Sequence, residues 1–462
     1  MFSSETYKDR RFKLNKTLKS GLILLPGNTD SPMDAFANCY PFRQNDSFLY
    51  FSGININDLF IVIDIDKNRE ILFGDDITFD DQIWTGPQPL LTDIAEKSGI
   101  NTVKPKSELH TEINKALIKK RKLHFLPNCR SEILIQFSEL LNIPANKIND
   151  HISLDLINAV VAQREIKSEL EIEEIEKALD ISYKVYTTLL SVIKPGLYEK
   201  DLIGKIYDIV YSHESKVSFP PILTVKGKTF HIGSYSNILN KEDLLLIDSG
   251  AKSPLHYASD ITRTYPVCGK FSSRQKDIYN IVLNAQLSAI QSIKPDIFYK
   301  EIHIKASEVI VEGLKNIGLM KGNVQDAVTA GAHSLFFPHG LGHMLGLEDH
   351  DMEILGENNV GYDHSISRSS QFGLSALRLA KKLKTNFALT VEPGVYFIPD
   401  LIDKWHSENK FTEFINYQKV EEFKDFEGIR IEDDIIVTEN GCRVLGKQSI
   451  PKNIGDIEKI MS

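Results

Sequence analysis

The sequence predicts a smaller α/β domain followed by a larger α+β domain. The chain has 462 residues, which exceeds what one hydrophobic core usually supports, and its 42% hydrophobic content is enough to build two cores. In the first third, strand-like apolar runs alternate with polar helical stretches, as in α/β folds. Further along, long helical stretches alternate with strand segments that carry acidic residues, which indicates an α+β arrangement.

The first domain is predicted to cover residues 1–160. Residues 20–25 and 60–64 are apolar runs of strand length, separated by polar stretches of helical character. Near residue 160 the pattern becomes charged, and Ser168 with Glu171 forms a capping box that opens an amphipathic helix. The second domain is therefore predicted to cover residues 161–462, with helices over 274–294 and 299–316.

Composition excludes several classes of protein. The formal net charge is −9, and no cluster of Lys and Arg with interleaved aromatic residues is present, which argues against a nucleic-acid-binding protein. The four cysteines are scattered without a C-x-x-C spacing, which is typical of reduced thiols in a cytosolic protein. The polar start lacks an apolar signal segment and no run has the length of a membrane span, so we expect a cytoplasmic protein that is not bound to a membrane.

Two aspartates mark a candidate hairpin in the second domain. The apolar run 244–247 leads directly into Asp248, and a buried strand that ends in a carboxylate needs a cation or a hydrogen-bond donor. Asp260 opens the segment 260–266, whose alternation is strand-like. We therefore expect the two aspartates to face each other across a hairpin.

Two glutamates occupy similar positions nearer the end of the chain. The run 387–391 leads to Glu392-Pro393-Gly394, and Glu432 follows the strand-like segment that contains Arg430. Since Arg430 and Glu432 would share one strand face, we expect the guanidinium to orient the carboxylate of Glu432.

These acids and one histidine form a candidate metal-binding set. A single carboxylate at a strand end is usually a solvated cap, but a set of five such side chains is harder to explain in that way. Their donors are mostly oxygen, and four negative charges would balance two divalent cations. The sequence thus predicts a dinuclear hydrolase centre formed by Asp248, Asp260, His343, Glu392 and Glu432.

The motifs around these residues resemble those of the pita-bread metallopeptidases, in the aminopeptidase P and prolidase branch that cleaves Xaa-Pro bonds. The matching segments are LLLIDSG, YASDITRTYPV, PHGLGHMLGLEDHD, LTVEPGVY and GIRIEDDIIVTENG, together with FRQNDSFLYFSG and QIWTG in the first domain. The resemblance covers essentially the whole chain. It implies a C-terminal pita-bread catalytic domain, preceded by a smaller creatinase-like N-terminal domain.

The sequence departs from the branch pattern at three places. The spacing between Asp248 and Asp260 is one residue longer than is usual in aminopeptidase P. The charged stretch 399–427 between the two glutamates is long and is similar to that of prolidase. Glu427 stands where a glycine is common.

The resemblance also implies roles for the site residues. Asp260 and Glu432 would bridge two cations, Asp248 would complete the shell of one, and His343 and Glu392 would bind the other. Glu392 would in addition carry the proton from water to the leaving nitrogen. Because thiolates are absent from the set, Mn(II) is favoured, with Co(II), Fe(II) or Zn(II) as alternatives.

Three further histidines match functional positions of the branch. His350 matches the donor that steadies the tetrahedral intermediate, and His339 and His231 match residues on the substrate side. A lone histidine in such a loop is more often a structural residue.

Two residues bear on specificity and assembly. Arg378 matches the prolidase arginine that pairs with the carboxylate of a dipeptide, while the alternative is a surface arginine. Trp84 resembles a tryptophan that reaches a neighbouring subunit's active site, which implies a homodimer or homotetramer. The alternative for Trp84 is a buried core residue of the first domain.

The function predicted from these observations is that of an Xaa-Pro aminopeptidase, which releases the first residue from peptides with proline in second position. The alternative enzyme is prolidase, which is restricted to Xaa-Pro dipeptides. A third hypothesis is a metal-free relative, either an inactive pita-bread binding module or a creatinase-type enzyme. Such relatives generally lose metal ligands, whereas all five positions are filled here.

Overall fold

The computed structural model describes residues 1–462, which divide into two compact units. The first unit comprises Met1–Arg164 and the short segment Ile354–Asn359, and the second comprises Glu165–Glu353 and Val360–Ser462. None of the helices combines the length and the apolar character that crossing a membrane would require.

The elements of the first unit alternate between strand and helix, as predicted for an α/β domain. Its strands are β1 (Leu22–Pro26), β2 (Pro32–Ala35), β3 (Asn38–Cys39), β4 (Phe60–Asp64), β5 (Arg69–Phe73), β6 (Val103–Lys104) and β7 (Leu123–His124). Its helices are α1 (Ser4–Leu18), α2 (Asp46–Ser52), α3 (Phe79–Thr85), α4 (Leu91–Lys97), α5 (Leu109–Ile118), α6 (Ser131–Leu141) and α7 (Leu154–Arg164).

A five-stranded mixed sheet in the order β6-β5-β4-β1-β7 forms the centre of this unit. The two apolar runs predicted as strands are β1 and β4, which pair antiparallel and are buried along their whole length. Phe125 and Phe137 pack at a ring-centroid distance of 5.2 Å in the core that α5 and α6 form with the sheet.

The second unit contains the long helices and the strands that carry the acidic residues. Its helices are α8 (Glu169–Val192), α9 (Glu199–Ser212), α10 (Ser273–Ser292), α11 (Tyr299–Asn316), α12 (Val324–Ala330), α14 (Pro399–Ser407), α15 (Tyr417–Glu421) and α16 (Ile454–Ile460). The short α13 (Glu357–Val360) begins in the segment Ile354–Asn359 of the first unit and ends in the second. Its strands are β8 (Ile222–Thr224), β9 (Leu244–Ser249), β10 (Ile261–Pro266), β11 (Ala388–Val391), β12 (Gly394–Tyr396), β13 (Gly428–Arg430), β14 (Asp433–Val437) and β15 (Cys442–Val444).

These strands form three small antiparallel groups, β10-β9-β8, β11-β14-β15 and β12-β13. The predicted helices over 274–294 and 299–316 are α10 and α11, and the α+β prediction for this part of the chain is confirmed. The predicted capping box is also present, because the Glu171 carboxylate accepts hydrogen bonds from the Ser168 amide at 3.0 Å and from its hydroxyl at 2.8 Å.

The strand predicted from the alternation in segment 260–266 is present as β10. Every residue of β9 and of β10 is buried, so both faces of this hairpin are covered. Of their buried polar residues, Asp248 and Thr262 belong to the candidate site, whereas Arg263 forms an ion pair with Asp433.

Glu427 has the left-handed backbone conformation that glycine adopts without strain. Its φ is +75°, which explains why a glycine is favoured at this position. The side chain forms ion pairs with Lys228 at 3.0 Å and with Lys226 at 3.5 Å. These contacts offset part of the backbone strain at this position.

Gly250 at the end of β9 allows the two halves of the hairpin to approach closely. A Cβ atom at this position would lie 1.7 Å from the Ser259 carbonyl oxygen. We expect Gly250→Ala to lower the free energy of unfolding by about 3 kcal/mol or more, because the clash involves backbone that cannot repack. Denaturant unfolding measures this change.

Gly204 in α9 is the matched control, because a Cβ there meets nothing within 4 Å. Gly204→Ala should raise the free energy of unfolding by about 0.5–1 kcal/mol through its better helix propensity. Equal stability of Gly250→Ala and the unchanged protein would contradict this account of the hairpin.

Candidate metal centre

The β9–β10 hairpin brings Asp248 and Asp260 to one face. Asp248 pairs with Thr262, and Asp260 lies two residues before Thr262, so its side chain points to the same side of the strand. The aspartates are therefore diagonal neighbours, and the direct partner of Asp248 is a threonine, which corrects the expectation that the aspartates oppose each other. Both aspartates are buried.

Glu392 and Glu432 lie opposite each other between two strand pairs. Val391 pairs with Asp433 in β11–β14, and Gly394 pairs with Arg430 in β12–β13. The two ladders have the same register, so continuing it across the gap sets Glu392 against Glu432. The hairpin adjoins this gap, because the Glu432 amide donates to the Thr262 carbonyl at 3.0 Å.

His343 enters the site on a segment that runs antiparallel to β11. The Thr390 amide donates to the His343 carbonyl at 3.0 Å, and the His343 amide donates to the Thr390 hydroxyl at 3.2 Å. The preceding Gly342 permits this approach, since a Cβ atom there would lie 2.1 Å from the Thr390 carbonyl oxygen. The glycines beside His343 therefore have a packing role.

The imidazole of His343 presents an unprotonated nitrogen to the acids. Its Nδ1 lies 3.0 Å from the Met344 carbonyl, which can only accept, so Nδ1 carries the proton. Its Nε2 faces Asp260 Oδ2 at 3.3 Å and Glu392 Oε1 at 3.7 Å. Burial lowers the pKa of His343 well below its ordinary value, so this nitrogen keeps its lone pair.

Three of the carboxylates leave one buried oxygen without a hydrogen-bond partner. These atoms are Asp248 Oδ1, Asp260 Oδ1 and Glu432 Oε1. In each case the second oxygen has a protein contact within the site. Buried carboxylate oxygens without donors are costly, and a bare imidazole nitrogen beside them cannot supply a proton. The donor set therefore fits divalent cations, which it would bind through oxygen and nitrogen atoms.

The same crowding raises the pKa values of the acids. Burial, reinforced by Asp349 and Glu432, raises the pKa of Asp260 well above its usual range. Burial and the charges of Glu392 and Asp248 do the same for Glu432. Burial also raises the pKa of Glu392 to about 7, although the Arg430 charge opposes that shift. Without cations, the folded state therefore holds protons on this cluster at neutral pH.

Arg430 holds the carboxylate of Asp248, which corrects the expectation that it orients Glu432. Its guanidinium donates to Asp248 Oδ2, to the Tyr396 hydroxyl at 2.9 Å and to the Thr262 hydroxyl at 3.1 Å. The Thr262 hydroxyl in turn donates to Glu432 Oε2 at 2.6 Å. Arg430 therefore reaches Glu432 only through this threonine.

His339 joins the site through the same tyrosine. The Tyr396 hydroxyl donates to His339 Nε2 at 2.9 Å, and His339 Nδ1 donates to the Gly340 carbonyl at 2.8 Å. Burial, together with the Arg430 charge, lowers the pKa of His339 to about 3. This histidine is neutral, and its Nδ1 lies 3.9 Å from Glu392 Oε2.

His350 lies beside His343 and belongs to an ion-pair network. The two rings have centroids 4.3 Å apart in an edge arrangement. His350 Nδ1 lies 3.1 Å from Glu353 Oε2, and Arg378 Nη1 lies 2.8 Å from Glu353 Oε1. Burial lowers the pKa of His350, but the hydrogen bond to Glu353 and the charge of Asp349 outweigh it, and the net pKa is raised. His350 is therefore suited to act as a donor.

His231 and Trp84 are not part of this cluster. His231 is exposed, although the ring of its neighbour Phe230 packs on Tyr396 at 4.7 Å and on His339 at 5.6 Å. Trp84 lies on α3 of the first unit and is 87% exposed. The alternative expectation of a buried core tryptophan is wrong, because α3 buries none of its residues.

Two acids of the site were not singled out from the sequence. Asp434 Oδ2 accepts the Asp260 amide at 3.0 Å, and Asp349 lies beside His350 and Asp260. Each has a buried oxygen without a partner. Asp349 is next to His350 in EDH, and Asp434 is two residues after Glu432 in EDD, so closeness in the sequence to a site residue was the available signal.

Comparison with known proteins identifies the relatives of both parts of the chain. Residues 173–439 match the sequence model of Metallopeptidase family M24, and residues 7–124 match that of the aminopeptidase P N-terminal domain. A probable Xaa-Pro aminopeptidase of Metarhizium acridum is 30% identical, with 96% of this chain and 85% of the relative covered. The human Xaa-Pro dipeptidase is 26% identical, with 98% and 91% covered.

Among solved structures, the Zn-substituted aminopeptidase P of Escherichia coli in complex with product is similar to this chain. The TM-score is 0.81 with 27% sequence identity, and the match covers 100% of this chain and 98% of the other. The predicted combination of an α/β first domain and an α+β pita-bread domain is confirmed by these matches.

The raised pKa values predict how stability of the metal-stripped protein depends on pH. The folded-state pKa of Glu392 is about 7, above its ordinary value of 4.5, so its stabilising contribution is present at low pH and lost as pH rises through 7. We expect the chelator-treated protein to unfold at lower temperature at about pH 8.5 than at about pH 6.5, because Glu392 loses its proton over this range. Thermal unfolding followed by circular dichroism measures the difference.

Added divalent cations should remove this pH dependence, because they neutralise the acids directly. A metal-stripped protein that is as stable at the higher pH as at the lower one would contradict the crowding of charge described here.

Proposed function

The chain belongs to Metallopeptidase family M24, and from that premise we propose that it is an Xaa-Pro aminopeptidase. It hydrolyses the bond between the first residue of a peptide and a proline in second position. The observation that carries the proposal is the convergence of Asp248, Asp260, His343 and Glu432, three of which have unpartnered buried oxygens. The names of the relatives, Xaa-Pro aminopeptidases and aminopeptidase P, support the same activity.

The residues proposed to hold two divalent cations are Asp248, Asp260, His343, Glu392 and Glu432. When bound, such cations polarise a peptide carbonyl and acidify water. The absence of thiolates from the set favours Mn(II), with Co(II), Fe(II) and Zn(II) as alternatives. The Zn-substituted relative supports a divalent metal without selecting among these.

Glu392 is proposed to move the proton. Its carboxylate lies within the cluster, 3.7 Å from His343 Nε2, where it can accept a proton from the attacking water and return that proton to the leaving nitrogen. It is less buried than Glu432, with a side-chain exposure of 18%, so substrate and water can reach it. Glu432 and Asp260, which are almost fully buried, are better suited to binding cations.

His350 is proposed to donate a hydrogen bond to the carbonyl oxygen as negative charge develops on it. Glu353 fixes Nδ1 of the ring, which directs Nε2 away from that contact. The pKa of Glu353 is lowered to about 2, first by His350 and then by Arg378, so this carboxylate stays ionised and favours the protonated form of His350.

His339 and His231 are proposed to lie on the substrate side. His339 is held in one tautomer between Gly340 and Tyr396, and its neighbour Phe230 extends the aromatic surface next to it. An aromatic and imidazole wall suits the apolar ring of proline. Arg430 acts on this side by positioning both Asp248 and Tyr396.

Prolidase is the second candidate, and Arg378 is the observation that favours it. The guanidinium is one-third exposed and binds Glu353, which also binds His350. A dipeptide carboxylate could pair with Arg378 close to the proposed donor. The human Xaa-Pro dipeptidase among the relatives supports this reading.

We also propose an oligomeric assembly, a cytoplasmic location and a domain boundary for this chain. Trp84, Phe79 and Ile83 are exposed on α3, and we propose that Trp84 contacts a second copy of the chain in a homodimer or homotetramer. The four cysteines are free, which supports a cytoplasmic location. The division into domains at about residue 160 is part of the proposal.

A substrate panel separates the two candidate activities. Metal-stripped protein reloaded with Mn(II), Co(II) or Zn(II) should cleave Xaa-Pro-Yaa tripeptides and leave peptides without proline in second position intact. Release of the first amino acid, measured by chromatography, reports turnover. Activity confined to Xaa-Pro dipeptides would favour prolidase, and no activity with any metal would exclude both.

Replacement of Glu392 by Gln tests the proton transfer. We expect Glu392→Gln to lower kcat by roughly 10²–10⁴-fold, since the amide cannot accept the proton. Elemental analysis of the variant shows whether cations are retained, which separates lost proton transfer from lost binding. Glu312→Gln on the exposed face of α11 is the control and should leave kcat unchanged. Unchanged turnover in Glu392→Gln would exclude the assigned role.

A further inference from the structure

Two groups of potential metal-binding side chains in the second unit share His343. In one group, ligand atoms of Asp260, His343 and Glu432 lie within 4.8 Å of one another, as the proposed centre requires. In the other, ligand atoms of His343, Asp349 and His350 satisfy the same limit. Asp349 has no role in the function proposed above.

The carboxylate of Asp349 has few protein donors. Its Oδ1 is buried and has no hydrogen-bond partner, and its Oδ2 lies 3.9 Å from His350 Nε2, beyond hydrogen-bonding distance. Lys252 is nearby, but its ammonium donates to the carbonyls of Leu347 and of His256. This carboxylate thus resembles those of Asp248, Asp260 and Glu432, each of which also has a buried oxygen without a partner.

Asp349 also contacts another acid directly. Its side chain lies within hydrogen-bonding reach of the Asp260 carboxyl, and Asp260 has an unpartnered buried oxygen of its own. Two carboxylates at such a distance repel each other unless a proton or a cation lies between them. His343 Nε2, 3.3 Å from Asp260 Oδ2, adds a lone pair to the same space.

The fold holds Asp349 in this position through its neighbour. The Asp351 amide donates to the Met344 carbonyl at 2.9 Å, which closes the loop between His343 and His350. The Asp351 carboxylate forms an ion pair with Lys167 at 2.9 Å, and both side chains are 1% exposed. Asp349 is therefore presented by a fixed loop.

We propose that Asp349 is a sixth protein ligand of the metal centre, contributing a carboxylate oxygen on the side of His343 and Asp260. This inference rests on the proposed dinuclear function. The set then has five carboxylates and one imidazole, which makes the centre more anionic and strengthens its preference for hard, oxygen-seeking cations such as Mn(II).

Metal binding to Asp349→Asn tests the inference without relying on activity. Full-length protein is stripped with a chelator and titrated with Mn(II), while the electron paramagnetic resonance signal of free Mn(II) and the heat of binding are recorded. We expect the unchanged protein to bind two Mn(II) ions. In Asp349→Asn, one of the two should bind roughly 10–100-fold more weakly.

Glu353→Gln is the matched control, because it removes one negative charge only four residues from Asp349. Glu353 binds His350 and Arg378 and is half-exposed, and it is absent from both ligand groups. This variant should keep both Mn(II) affinities of the unchanged protein. If both variants weaken Mn(II) binding equally, the effect is one of net charge and the inference is overturned.

Thermal unfolding of the metal-free variants provides a second readout with opposite signs. Metal-free Asp349→Asn should unfold at a higher temperature than metal-free unchanged protein, because one of the crowded acids is gone. Metal-free Glu353→Gln should unfold at a lower temperature, because it loses its ion pairs. A lower unfolding temperature for metal-free Asp349→Asn would contradict the inference.

The measurements distinguish a wrong dinuclear function from a wrong role for Asp349. Unchanged protein that does not bind two Mn(II) ions overturns the proposed dinuclear function itself. Unchanged protein that binds two ions, with the same affinities in Asp349→Asn, overturns only the role of Asp349.

Discussion

The crowding of buried carboxylates in one small volume is the constraint on which the second unit depends. Asp248, Asp260 and Glu432 are all nearly inaccessible to solvent, and burial together with their mutual repulsion raises the pKa values of Asp260 and Glu432. Folding alone does not relieve this repulsion, because only Arg430 brings a guanidinium into direct contact with one of them. The fold therefore stores an unfavourable charge distribution that divalent cations would neutralise.

The surrounding structure holds the carboxylates in place but does not supply hydrogen-bond donors to all of their oxygens. Thr262 binds one oxygen of Glu432, Arg430 binds one oxygen of Asp248, and the second oxygen of each carboxylate is left without a donor. Close backbone approaches at Gly250 and Gly342 bring these groups together, since a side chain at either glycine would collide with a neighbouring carbonyl. Rigid positions combined with open lone pairs are what a pre-organised metal site requires.

Ion pairs next to the site distinguish acids with a structural role from acids that are available to bind ligands or protons. Asp433, between Glu432 and Asp434, is neutralised by Arg263 and Lys452, so this acid is structural although it lies in the same motif. Asp351 and Lys167 do the same for the loop that carries His350. Ion pairing lowers the free-energy cost of burying Asp433 and Asp351. The acids beside them lack such partners and remain available for ligands and protons.

Local sequence determined the elements and the positions of the acids. The apolar runs that became β1 and β4, the capping box at Ser168 and the helices α10 and α11 all follow from interactions within a few residues, and so does the placing of Asp248 and Glu392 at strand ends. Tertiary structure alone decided that Arg430 binds Asp248, 182 residues away, and that Thr262 binds Glu432, 170 residues away. It also decided that Trp84 is exposed and that Asp349 meets Asp260. These contacts depend on strand register and on how segments distant in the chain pack, and no periodicity within either segment encodes them.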